Sequence, residues 1–318
     1  WARMIWQENP LAGERSARMR IGFIGTGTMG LPMLSNLLAK GFAVVAYDVV
    51  PAALDAAAAK GAGRAASPAE AAAASDLVVT MLPSSRNVEA AYLGADGVIA
   101  GAAAGRLAVD MSTIDPATSQ RVAARLAERG VRFIDAPVSG GVGGAAAGTL
   151  AIMVGGAAGD LEEARPALAA MGGAIIHVGA VGAGEVAKLC NNLVSGSALV
   201  AVSEAFRIGE AYGLDPQILT NVVASSSGAT WVMEHAHPVP GIKPQSASSR
   251  GYAGGFMTDL MAKDLGLAVD AARQKGVPVV VAPAAQQLYR MASSHGHGRR
   301  DFSSVYEFLK PSSQDAPV

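Results

Sequence analysis

Between residues 20 and 181, short runs of β-branched and apolar residues alternate with Ala-rich helical stretches, and few folds accommodate that alternation. The strand candidates are Ile21–Ile24, Ala43–Tyr47, Leu77–Met81, Leu107–Asp110, Arg132–Asp135, Ala151–Val154 and Ile175–Val178. Runs such as Val44-Val45-Ala46-Tyr47 and Leu77-Val78-Val79-Thr80-Met81 are continuous in apolar character rather than alternating. Strands of that kind are buried on both faces, as in a parallel sheet covered by helices. The expected N-terminal architecture is an α/β Rossmann-type, doubly wound domain.

The pattern changes at Gly179-Ala-Val-Gly-Ala-Gly184. Beyond it, helices are expected over 185–212, 215–224, 257–275 and 281–295, with the Pro-, Gly- and Ser-rich stretch 235–256 as a loop. A boundary at about 181 divides the chain into an extension (1–18), a dinucleotide-binding domain (19–181) and an all-α domain (182–318) that opens on a long helix. Hydrophobic residues make up 51% and charged residues 16%, which suffices for two cores and excludes a disordered chain.

With a net charge of -1 and no basic run, nucleic acid is not an expected partner. The most apolar long stretch, Val186 to Ile208, is broken by Lys188, Asn191, Asn192, Glu204 and Arg207, so no membrane partner is expected either. Residues 1–18 read as an appendage without the apolar segment of a signal peptide, and Met19 is a candidate start. Cys190 is the sole cysteine, which fits a reducing, cytoplasmic setting, and its bland reading is a small buried thiol. No metal site is expected: His295 and His297 lack a nearby partner ligand in sequence.

Ile21–Ile24 runs into the turn Gly25-Thr26-Gly27-Thr28-Met29-Gly30 and then into a helical segment. In that strand–turn–helix context, Gly25 permits the turn, Gly27 lets backbone approach a pyrophosphate, and Gly30 allows close helix–strand packing. Asp48 ends the second strand, where a carboxylate accepts hydrogen bonds from a ribose and repels a 2′-phosphate. No cation follows in Val49-Val50-Pro51, so the expected cofactor is NAD.

Lys188, Asn191 and Asn192 are spaced i, i+3, i+4, on one side of the helix after the hinge. Oxidation of a C–OH group needs a base, and desolvation lowers the pKa of an amine towards the working range. The same spacing also fits a solvated lysine with structural amides. After the fifth strand, Ser139-Gly140-Gly141 offers a hydroxyl and successive N–H groups to a carboxylate, or forms a flexible loop.

The chain resembles the β-hydroxyacid dehydrogenase family, on its hydroxyisobutyrate branch. The resemblance rests on Gly22-Phe-Ile-Gly-Thr-Gly-Thr-Met-Gly-Leu-Pro-Met33, Met81-Leu-Pro83, Asp110-Met-Ser-Thr-Ile-Asp-Pro116 and Asp135-Ala-Pro-Val-Ser-Gly-Gly-Val-Gly143. It continues through Gly182-Ala-Gly-Glu-Val-Ala-Lys-Leu-Cys-Asn-Asn192, Gly251-Tyr-Ala-Gly-Gly-Phe256, Lys263-Asp-Leu-Gly-Leu-Ala268 and Asp301-Phe-Ser-Ser304. It implies a Rossmann-type domain joined by a long helix to an all-helical domain that also mediates oligomers. It further implies Lys188 as the catalytic lysine, Asn192 as the amide holding the substrate, and Ser139, Gly140 and Gly141 as the carboxylate loop. Leu82, Pro83, Asn87 and Thr113 match positions lining the cofactor, and Lys263 matches a second lysine reaching that region.

The implied reaction is NAD-dependent oxidation of 3-hydroxyisobutyrate to methylmalonate semialdehyde, a step of valine breakdown. Sister activities on tartronate or succinic semialdehyde, and a non-catalytic scaffold, are the alternatives. Two departures stand out: His237 replaces the usual Asn, and Leu193-Val-Ser-Gly-Ser197 has smaller residues than usual, which predicts looser packing. Apolar stretches at Ala198–Val202 and Val277–Ala282 point to a homo-oligomer, a dimer or tetramer, formed through the helical domain.

Overall fold

The computed structural model describes residues 19–310, and the extension expected at 1–18 lies outside them. All seven expected strands form, together with two short ones. They are β1 (Arg20–Ile24), β2 (Ala43–Tyr47), β3 (Gly63–Arg64), β4 (Leu77–Thr80), β5 (Leu107–Asp110), β6 (Arg132–Asp135), β7 (Val138–Ser139), β8 (Leu150–Gly155) and β9 (Gly172–Gly179). Neither β3 nor β7 was legible, because two residues carry no periodicity.

The strand order β3-β2-β1-β4-β5-β6 is parallel throughout and is the doubly wound order. Beyond β6 the sheet is mixed: β8 runs antiparallel to β6 and β7, and β9 pairs parallel with β8. The two faces separate strictly by alternation. Phe23, Val79, Val109 and Ile134 enter one core with Leu34, Leu37 and Leu168, whereas Ile24, Val78, Ala108 and Phe133 enter another with Tyr92, Val98 and Val122. Successive side chains point to opposite faces of a strand, so continuous apolar runs fill both cores at once.

The chain divides into two compact units, one ending at Lys188 and one beginning at Leu189. The C-terminal unit comprises the rest of the helix Ala183–Ala211 and the helices Pro216–Ala224, Trp231–His235, Thr258–Gln274, Val281–Ala292 and Val305–Phe308. The expected loop holds one 3-10 turn, Ala247–Arg250. Among the described residues, Ala183–Ala211 is the one helix long and apolar enough to cross a membrane. Its Leu199, Val202 and Phe206 instead fill the core of this unit beside Met261, Leu265 and Tyr289.

Two expectations about this unit need correction. The small residues at 193–197 do not loosen the packing. A Cβ on Gly196 would lie 2.6 Å from the Met261 sulfur, and the Tyr289 hydroxyl donates to the Gly196 carbonyl at 2.9 Å. The missing side chain lets the helices close in. The apolar stretch Ala198–Val202 is also no surplus surface, since Leu199 and Val202 are core, whereas Val277, Val280 and Val281 are 54%, 83% and 64% exposed.

His237 is fully buried in the same unit. Its Nδ1 accepts from the Val239 N–H at 3.2 Å, which leaves the proton on Nε2, 3.1 Å from the Thr220 hydroxyl. Burial pushes its pKa down to about 4. The departure from Asn is thus a neutral imidazole packed edge-on against Phe206.

Candidate active site

The carboxyl ends of five parallel strands lie in register, through the pairs Ile24↔Tyr47, Ile24↔Thr80, Thr80↔Asp110 and Asp110↔Asp135. Each strand hands its chain to a segment the sequence singled out. Between β1 and β4 the strand order reverses direction, and ligands of open α/β sheets bind at such switch points.

Gly25 follows β1 with φ +93, a conformation that costs an L side chain dearly, and a Cβ there would strike the Met81 carbonyl. A Cβ on Gly30, the first residue of the helix Gly30–Ala39, would strike the Gly25 carbonyl. Gly27, by contrast, is exposed with open space where its Cβ would stand. The turn is therefore closed on its inner side and free at the position a pyrophosphate must approach, and the residues fit the cofactor. Thr26, Thr28 and Met29 complete it. Asp48 braces this turn from the end of β2: its carboxylate accepts from the N–H of Thr26 at 2.7 Å and of Val50 at 2.8 Å.

Asp110, which sequence reasoning did not single out, organises the next two segments. One of its oxygens accepts from the hydroxyls of Thr80 at 2.7 Å and Ser112 at 2.5 Å. Ser112 in turn accepts from the N–H of Leu82 at 2.9 Å, fixing the stretch that carries Leu82 and Pro83. Asn87 is exposed on the helix Ser85–Leu93, its amide oxygen held by the Ser84 hydroxyl at 2.5 Å. Thr113 is half-buried beside Ser112.

Two more carboxylates seat the start of the long helix. Asp135, fully buried at the end of β6, accepts from the N–H of Gly182 at 2.7 Å and of Glu185 at 3.0 Å. Burial raises its pKa from 3.8 to about 6, with those two N–H groups opposing the shift. A Cβ on Gly184 would lie 2.7 Å from the Asp135 carboxylate, so glycine is what lets strand and helix approach this closely. Glu185, also buried, accepts from the N–H of Ile114 at 3.1 Å. The signal for both was present as polar residues inside apolar motif stretches.

One turn beyond, Lys188 is 5% exposed, and one further turn on, Asn192 is also 5% exposed. Asn191 does not share their environment: it is exposed and donates from Nδ2 to Asn192 Oδ1 at 3.1 Å. The reason is the helical angle, since adjacent residues stand about 100° apart around the axis. Cys190 is exposed as well, against the expectation of a buried thiol. Ser139 pairs with Ala151 across β7 and β8. Gly140 and Gly141 then take φ +136 and +61. The expected glycine-rich loop is in fact short, because the helix Gly141–Ala147 begins at its third residue. In the C-terminal unit, Asn192 Nδ2 donates to Asp264 Oδ2 at 2.6 Å, and Lys263 Nζ lies 3.2 Å from Asp264 Oδ1. Among the described residues no group of three His, Cys, Asp or Glu side chains could hold a metal.

A doubly wound sheet with a glycine turn at its switch point and a carboxylate at the end of β2 is the arrangement of a dinucleotide-binding domain. Comparison with known proteins refines that class. The family described as the NAD binding domain of 6-phosphogluconate dehydrogenase matches residues 20–179. The family described as NAD-binding of NADP-dependent 3-hydroxyisobutyrate dehydrogenase matches residues 182–309. The chain is 45% identical to a probable mitochondrial 3-hydroxyisobutyrate dehydrogenase of Dictyostelium discoideum, over 92% of each chain. It is 44% identical to an NAD-dependent L-serine dehydrogenase of Pseudomonas aeruginosa, over 92% of this chain and 98% of that one. The solved structure of Mycobacterium tuberculosis 3-hydroxyisobutyrate dehydrogenase with L-serine superimposes with a TM-score of 0.87 at 42% identity, covering 92% of this chain and 99% of that one. The chain belongs to the 3-hydroxyisobutyrate dehydrogenase family and is an NAD-dependent oxidoreductase acting on CH–OH groups.

Proposed function

We propose that this enzyme oxidises 3-hydroxyisobutyrate to methylmalonate semialdehyde, with Lys188 as the proton acceptor. The observation that carries the reading is the burial of Lys188 and Asn192 one turn apart on a helix whose start is seated by Asp135 and Glu185. This pair matches the lysine and amide of the family motif, and both side chains are held in the interior rather than in solvent.

Ser139, Gly140 and Gly141 bind the substrate carboxylate through the hydroxyl and backbone N–H groups. Asn192, supported by Asn191, steadies the 3-hydroxyl. Lys188 as a neutral amine accepts the hydroxyl proton, and as an ammonium returns it in the reverse direction. Bound NAD supplies the hydride acceptor. It is held by Gly25, Thr26, Gly27, Thr28, Met29, Gly30 and Asp48, lined by Leu82, Pro83, Asn87 and Thr113, and approached by Lys263.

A second substrate is favoured by a specific observation, the 44% identity to a relative named as an L-serine dehydrogenase. L-serine carries the same carboxylate and 3-hydroxyl and differs at C2. Steady-state kinetics with 3-hydroxyisobutyrate, L-serine, glycerate and 4-hydroxybutyrate, each with NAD and NADP, decide between them. The largest kcat/KM is expected for 3-hydroxyisobutyrate, and a larger value for L-serine overturns that assignment. In the same panel NAD is expected to exceed NADP by at least about tenfold, roughly 1.4 kcal/mol, because Asp48 opposes a 2′-phosphate. Equal use of both would overturn the cofactor preference, and Asp48→Ala should narrow the gap.

The assembly is proposed as a homodimer or homotetramer formed through the helical unit, where Val277, Val280 and Val281 stand exposed. A monomeric mass by light scattering at micromolar concentration would refute it. A cytoplasmic location is likewise a proposal; the Dictyostelium relative is named as mitochondrial.

A further inference from the structure

We infer that Asp264 is a positioning residue that fixes which way the Asn192 amide faces, and thereby sets how the enzyme holds its hydroxy acid. The inference rests on the reading of Asn192 as the substrate amide and adds a residue that the reading does not contain. Asp264 is 2% exposed on the helix Thr258–Gln274, and its Oδ2 lies 2.6 Å from Asn192 Nδ2. A carboxylate only accepts hydrogen bonds, so the amide must turn its NH2 group, not its oxygen, towards Asp264. Without this partner the two ends of an amide are nearly equivalent in shape and the group can turn over.

The other Asp264 oxygen, Oδ1, lies 3.2 Å from the Lys263 ammonium. Adjacent helical residues do not face each other, so this contact is an electrostatic one within a single turn. One carboxylate therefore bridges the proposed substrate amide and the proposed cofactor-side lysine.

Counting donors and acceptors shows what this leaves for a substrate. An asparagine amide has two N–H donors and two lone pairs. Asp264 takes one donor, and Asn191 occupies one lone pair of Oδ1 at 3.1 Å. One donor and one acceptor remain, the complement of a hydroxyl, which both gives and takes a hydrogen bond. With the amide reversed, its oxygen would face Asp264, and both the acceptor and the donor would stand in the wrong places.

The test is a double-mutant cycle in the full-length enzyme with saturating NAD, 3-hydroxyisobutyrate or L-serine as substrate, and Asp264→Asn, Asn192→Ala and the double variant. Asp264→Asn is nearly isosteric and should lower kcat/KM for the hydroxy acid about 10- to 10²-fold, the worth of a charged hydrogen bond, with NAD binding by fluorescence titration altered less than about twofold. Combined with Asn192→Ala it should add little. Additive effects, or an Asp264→Asn enzyme with unchanged kcat/KM, would overturn the positioning role. An Asn192→Ala enzyme with unchanged kcat/KM would instead overturn the reading of Asn192 itself.

The exchange Asn192→Asp/Asp264→Asn keeps the proposal testable if a single variant fails to fold. It restores an amide–carboxylate hydrogen bond with reversed polarity. Thermal stability should return while kcat/KM stays low. Recovery of near wild-type kcat/KM in the exchanged pair would overturn both the positioning role of Asp264 and the reading of Asn192 as the substrate amide.

Discussion

Replacing Lys188 by Ala is expected to lower kcat for hydroxy-acid oxidation by about 10²–10⁴-fold, the usual contribution of a positioned acid–base group, while NADH binding stays nearly unchanged. The expectation combines two features of the side chain. It is 5% exposed, and it stands one turn into a helix whose first residues are tied down by buried carboxylates. A general base must be present as the neutral amine at the working pH. Lys188→Arg should fail as well, because a guanidinium does not deprotonate at working pH. Oxidation by the wild type should accelerate with rising pH until the amine is neutral, and that limb of the profile should vanish in Lys188→Ala. Near wild-type kcat in Lys188→Ala, or full activity in Lys188→Arg, would move the proton acceptor elsewhere, with Lys263 the first residue to test.

How much of this was legible in the sequence depended on the range of the interaction concerned. The parallel sheet could be read because Val44–Tyr47 and Leu77–Thr80 each feed two cores, and a run without polar interruption records that directly. The glycine turn could be read because its constraint is local: Gly25 needs a positive φ and Gly30 a close backbone, within six residues. The carboxylates Asp110, Asp135 and Asp264 could not. Each acts on a partner that is distant in sequence or on a backbone N–H, and no spacing rule encodes a bond from Asp135 to Gly182 or from Asp264 to Asn192. The exposure of Asn191 and Cys190 escapes the sequence for the opposite reason. Their positions on the helix were known, but which part of the circumference is covered depends on tertiary packing that periodicity does not specify.

Asp135→Ala is expected to lower kcat about 10²-fold without changing KM for NAD, although Asp135 touches none of the residues proposed to handle the proton. Its carboxylate receives two N–H groups at the start of the helix that carries Lys188. Removing it strands both donors at a cost of roughly 1–3 kcal/mol and frees the helix start to shift. A displacement of about 1 Å at a reacting group can cost about 10²-fold in rate. Asp135→Asn keeps the shape but turns an NH2 group towards one of the two backbone donors, so its kcat should fall between the two. A pH signature separates this seat from general damage. The Asp135 pKa is raised from 3.8 to about 6 in the folded chain, so its stabilising contribution is complete below 3.8 and is lost as pH rises through about 6. His237, pushed down to about 4 from 6.5, works in the opposite sense, losing stability as pH falls through that window. Its effect cancels when wild type is compared with Asp135→Asn, which retains His237 and cannot titrate at 135. The urea midpoint of wild type should therefore fall relative to that of Asp135→Asn as pH rises from about 4 to about 6. If Asp135→Ala instead lost stability but kept kcat at a temperature well below its unfolding, the seat would hold the fold together without positioning Lys188.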